Sequence, residues 1–173
     1  MIELVLASAL LIFRLLGALG VRRFASWPAS TAHALAIMLV VTASAHFVPA
    51  SVTAMPNHAD LVRMVPPLVP FPSAVVYATG VLELLGALGL VLARTRWAAG
   101  IALTALFVLL LPANVYAAVA DVPFNGGEPT PLWPRLLEQA LYVAVAVWVT
   151  RTADSTAVRR LLRPARPAAP ASH

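Results

Sequence analysis

Ser73-Ala-Val-Val-Tyr-Ala-Thr-Gly-Val-Leu-Glu-Leu-Leu-Gly-Ala-Leu-Gly-Leu-Val-Leu-Ala93 carries a single carboxylate, Glu83, near the centre of an otherwise apolar run. A helix needs about 20 apolar residues to cross a bilayer, and this run supplies them. A carboxylate at mid-membrane depth costs about 2.5–3.5 kcal/mol on the insertion scale, so something must offset Glu83. At about 100° per residue, Thr79, Gly80, Gly86 and Ala87 share its helical face. Small side chains let neighbouring helices approach closely, so Glu83 is expected to face other helices rather than lipid.

The rest of the chain follows the same pattern. Of its 173 residues 61% are hydrophobic and 11% charged, and mean hydropathy is +0.86. Soluble domains carry about 25% charge, and this much apolar surface in long blocks has no place in one. Further runs cover Ile2–Gly20, 32–50, 97–120 and 136–149. The fold expected is an all-α membrane protein of five spans, because only helices and closed barrels satisfy their backbone in lipid. The first run is expected to stay as a span with its N-terminus outside. Glu3 precedes it and Arg22-Arg23 follow it, the reverse of a signal peptide's charge order.

All twelve basic residues are Arg, and the net charge is +5. With the N-terminus out and the C-terminus in, Arg22, Arg23, Arg94, Arg96, Arg151, Arg159, Arg160, Arg163 and Arg166 fall inside, and only Arg63 and Arg135 outside. That asymmetry obeys the positive-inside rule. Arg14 lies within the first span and is expected to snorkel towards the inner surface. These arginines flank apolar spans, so they read as topology signals and contacts to anionic lipid, strongest in the basic tail, and not as a nucleic-acid patch. The location expected is multi-pass in the plasma (inner) membrane of a bacterium. Residues 1–24 form the added N-terminal helix. Residues 30–151 form the core, with an outer amphipathic segment at 56–72 that reads equally as a short helix or a loop. Residues 152–173 form an Arg/Pro/Ala-rich tail expected to be disordered and cytoplasmic.

Depth counting at 1.5 Å per residue places Glu83 near the midplane and His46, Asn114, Glu138 and Tyr142 in the outer halves of three other spans. His46, Glu83, Asn114, Glu138 and Tyr142 are therefore the candidate ligand-binding residues. Each also has a purely structural reading, as an interhelical clasp or an interfacial aromatic. Pro112 frees the carbonyl of Val108 and provides a place for the span carrying Asn114 to bend. No metal site is expected: His33 and His46 are too far apart along the chain to chelate together, and no ligand-spacing motif joins His46 to the carboxylates. Cysteine is absent, which removes thiol catalysis and Cys-ligated metal centres and leaves any redox role to a bound cofactor or partner.

Several pieces resemble the DoxX-like small membrane proteins: Ala45-His46-Phe47, Val62-Arg-Met-Val-Pro-Pro67, Tyr77-Ala-Thr-Gly-Val-Leu-Glu-Leu-Leu-Gly86, Arg94-Thr-Arg96, Leu111-Pro-Ala-Asn-Val-Tyr116 and Pro131-Leu-Trp-Pro134. The likeness covers residues 32–150 and implies a four-helix transmembrane bundle, to which the first span is an addition. It implies an accessory subunit or partner of a membrane redox complex, with a quinone as the compatible cofactor class and a membrane protein or second copy as partner. Two other functions stand beside it: a small proton-coupled transporter that uses Glu83, and a membrane assembly chaperone. Whether the chain is an enzyme stays open at this stage.

Overall fold

The computed structural model describes residues 2–161, and these form six α-helices and one 3-10 turn without a β-strand. The helices are α1 (Ile2–Ala18), α2 (Trp27–Ser44), α3 (His58–Met64), α4 (Pro72–Val91), α5 (Arg96–Val119) and α6 (Leu132–Leu161); the 3-10 turn is Arg22–Phe24. α2, α4 and α5 are long and apolar enough to cross a membrane.

α2 runs through the middle of the bundle, packed against α1, α4 and α6, while α5 lies along α4 and α6. Leu35, Met38 and Leu39 of α2 are almost completely buried, and they join Leu90, Leu103 and Val149 from the helices around them. The opposite faces carry exposed apolar side chains: Leu11 and Leu15 on α1, Leu85 and Leu88 on α4, Leu109 on α5. An apolar exterior around an apolar interior is the pattern of a helix bundle whose solvent is lipid.

Local sequence fixes the helix ends. α1 stops at Gly20, whose φ of 98° suits a residue without a Cβ; Val21 N–H there reaches back to the carbonyl of Leu16. α2 begins earlier than hydropathy predicts, because Ser26 accepts the Ala29 N–H and Pro28 occupies the first turn. It also ends earlier, at Ser44 and not at Ala50. Pro49 would clash with the carbonyl four residues before it and disfavours helix at Val48, so the chain leaves through a turn at 45–47. α3 has a complete capping box, in which Asn57 and Asp60 each accept a backbone N–H from the other's end of the turn. The two equal expectations for this segment thus resolve to a short helix followed by irregular chain. α6 continues through 152–161, beyond the boundary at 151. Ala, Arg and Leu there are good helix formers, and extending a formed helix is cheap compared with starting one. The remainder of the expected disordered tail, 162–173, lies outside the described residues.

At the α4–α5 turn, side chains satisfy the last carbonyls of α4. Thr95 Oγ1 donates to Gly89 O at 3.0 Å, Arg96 Nε to Leu90 O at 2.8 Å, and an Arg23 terminal nitrogen to Val91 O at 3.4 Å. Cations at a helix C-terminus also oppose its dipole. Arg23 Nε donates to His33 Nε2 at 2.9 Å, and His33 Nδ1 donates to Ala29 O, so the otherwise plain His33 ties α2 to this end. Arg14 reaches the same end, donating to Phe24 O and Ala25 O with its guanidinium 4.7 Å from the Trp27 ring centre.

Candidate functional site

His46 and Glu83 meet inside the bundle near its α3 end. His46 Nε2 lies 3.5 Å from Glu83 Oε1, and both residues are buried, at 8% and 5% exposure. His46 sits in the turn after α2, whereas Glu83 is held in the regular part of α4. Gly80, one turn before Glu83, makes the approach possible. A Cβ there would stand 2.5 Å from His46 Cβ and 3.1 Å from the Phe47 ring, so only a residue without a side chain lets the imidazole lie against α4.

The hydrogen bonds around the pair constrain its chemistry. His46 Nδ1 is 2.6 Å from the carbonyl of Val76. A carbonyl only accepts, so Nδ1 carries the hydrogen and Nε2 is the nitrogen facing Glu83. Two bare lone pairs facing each other in a buried site would be unfavourable. The contact therefore holds one proton, either as imidazolium with carboxylate or as imidazole with carboxylic acid. Thr42 Oγ1 lies 2.8 Å from Glu83 Oε2 and 3.1 Å from Leu39 O, and its one hydrogen serves either acceptor. It donates to Glu83 when that group is a carboxylate. When the proton sits on Oε1, facing His46, Oε2 remains an acceptor and the Thr42 bond persists. Thr79 completes the shell, donating to Val76 O at 2.9 Å with its oxygen 3.3 Å from His46 Nδ1.

The site is roofed by His58 at the start of α3. Its Nδ1 donates to His46 O at 2.8 Å, its Nε2 shares a hydrogen bond with Ser73 Oγ at 2.8 Å, and its ring stacks on Tyr77 at 4.0 Å. One imidazole thus joins α3, the turn after α2 and the first turn of α4.

The other candidates fall elsewhere. Asn114 gives its side-chain N–H to Leu110 O, one turn back on α5, at 3.1 Å. Glu138 and Tyr142 lie on α6 with Arg135 and Gln139, at positions i, i+3, i+4 and i+7 of one helical face. Arg135 and Gln139 are buried on that face. Arg135 Nε donates to Thr130 O at 3.2 Å, while one of its terminal nitrogens and Gln139 Oε1 have no hydrogen-bond partner among the described residues. Glu138 lies close enough to Glu3 of α1 for the two carboxyl groups to influence each other. Tyr142 packs its ring 5.9 Å from Phe107 and lies within electrostatic reach of Glu138, Glu3 and Glu83. Thr42, His58 and Glu3 are participants that sequence reasoning missed.

Residues 35–150 match a family described as a domain of unknown function (DUF8561). The chain belongs to this family. The matched segment contains His46, Glu83, Asn114, Glu138 and Tyr142, and leaves out α1 with Glu3. No curated protein and no solved structure matches the chain.

Proposed function

We propose that this chain is a DoxX-type integral membrane protein that serves as an accessory subunit of a quinone-linked redox complex in the bacterial plasma membrane. It would cross the membrane five times, N-terminus out and C-terminus in, with α1 and α6 joining α2, α4 and α5. The observation that carries the functional reading is the buried His46–Glu83 contact, with His46 Nδ1 committed to Val76 and Thr42 able to serve both forms of Glu83. Reducing a quinone takes up protons together with electrons. A buried pair that holds one proton and tolerates its relocation supplies the proton side of that chemistry. The chain has no cysteine, so the electrons are assigned to a partner or its cofactor.

The test is purification of the full chain in mild detergent, with identification of the proteins and lipid-soluble quinones that come with it. Quinone turnover by that complex is then compared between wild type and Glu83→Gln. A variant that keeps its abundance and its partner but loses turnover supports the reading; wild-type turnover at wild-type abundance sinks it.

A proton-coupled carrier is the second reading. It is favoured by the ionisable groups that continue from Glu83 through Tyr142 to Glu138 and Glu3. Proteoliposome flux insensitive both to pH and to Glu83→Gln would exclude it.

A further inference from the structure

The interface between α4 and α5 opens on the exposed side of the bundle into a groove of about 430 Å³ with almost wholly apolar walls. Its floor is the seam where α4 meets α5, since a Cβ on Gly86 would run into Leu103 and one on Gly89 into Ala99, and the small side chains of Ala98 and Ala102 line its open side. It runs from Leu82 to Leu92, which is about 15 Å of helix, or half the thickness of a hydrocarbon core. At one end it reaches Thr95, and Arg94 and Arg96 stand on either side of that residue in the α4–α5 turn.

Three guanidinium groups gather at that end. Arg94 is exposed. Arg96 is tied by one nitrogen to Leu90 O, and Arg23 by one to Val91 O and another to His33. Among the described residues, no carboxylate lies within ion-pair distance of any of them. Among the described residues these clustered cations beside an apolar slot have no counter-ion, and the slot has the length of one acyl chain in one leaflet.

We propose that this groove binds one anionic phospholipid, with an acyl chain between α4 and α5 and its phosphate held by Arg94 and Arg96. Arg23 adds positive charge behind them. The site lies at the opposite end of the bundle from α3 and requires nothing of the His46–Glu83 pair, so the two readings stand or fall separately.

Native mass spectrometry of the full chain, released from micelles containing equal amounts of phosphatidylglycerol and phosphatidylcholine, tests it. The wild type is expected to retain one phosphatidylglycerol in preference to phosphatidylcholine. Each arginine removed, in Arg94→Gln and then Arg94→Gln with Arg96→Gln, is expected to weaken that retention about fivefold. Ala102→Phe fills the groove from an exposed position and is expected to lower retention of both lipids. The proposal is overturned by equal retention of the two lipids in the wild type, by a preference that survives loss of both arginines, or by Ala102→Phe retaining lipid as the wild type does. Displacement of the lipid by inorganic phosphate, which would make this a site for soluble anions, also overturns it, as does a second copy of the chain occupying the groove.

Discussion

Glu83 uses its two oxygens differently, Oε2 towards Thr42 and Oε1 towards His46. A glutamine there presents an oxygen to Thr42 and an N–H to His46 Nε2, so Glu83→Gln is expected to unfold close to the wild-type temperature in detergent. Glu83→Ala leaves His46 Nε2 without its partner and the Thr42 hydroxyl with Leu39 O alone, and is expected to cost about 1–3 kcal/mol in the same measurement. Gly80→Val tests the approach of the ring. Its side chain would occupy the place of His46 Cβ, with an expected loss of about 1–3 kcal/mol from overpacking. An unchanged melting temperature in Gly80→Val would mean that the imidazole does not lie against α4. Glu83, Gly80 and His46 were legible in the sequence because a carboxylate in an apolar run demands partners and small residues mark a close contact. Thr42 was not, since a threonine in a hydrophobic helix normally bonds its own backbone, as it also does here with Leu39. Asn114 was legible as polar and buried in sequence terms, but its side chain is long enough to reach the carbonyl one turn back on its own helix.

Among the elements, α3 owes most to its cap. It has only seven residues, too few to be stable alone. Asn57→Ala removes the acceptor for the Ala59 and Asp60 N–H groups, at an expected cost of about 0.5–2 kcal/mol to that segment. Hydrogen exchange of residues 58–64 should quicken while the amides of α4 stay protected. Equal quickening of both would show that α3 opens only with the bundle. Hydropathy located α4 and α5 to within a few residues, because their apolar runs and their helices coincide. It misplaced α2, whose limits follow the Ser26 cap and Pro49. It shortened α6 as well, where polar residues continue a helix that no longer needs to be apolar.

For the whole molecule, the arrangement across the membrane is open to direct measurement, helped by the absence of cysteine from the chain. Ser51, Ala93 and Gly127 are exposed. In intact cells a membrane-impermeant maleimide is expected to label Ser51→Cys and Gly127→Cys, and to label Ala93→Cys only after permeabilisation. The reverse pattern would invert the orientation. Labelling of Ala25→Cys from outside would remove α1 as a span. The apolar blocks made the helical bundle readable at this scale; the orientation drawn from the charge asymmetry is what the labelling tests. The contact between Glu3 and Glu138 was hidden, because it joins residues far apart in the chain and is set by how α1 leans on the core.

The placement of His46 beyond the end of α2 has a kinetic consequence. One half of the proton-holding pair is fixed in a long helix, and the other rides on a turn of three residues. Escape of the proton to bulk water is then expected to follow local opening of that turn, within the μs–s range of local unfolding, and not the slower loosening of the bundle. Relaxation-dispersion NMR on the His46 ring would read the rate directly. A rate equal to that of global unfolding would mean that the turn is no gate.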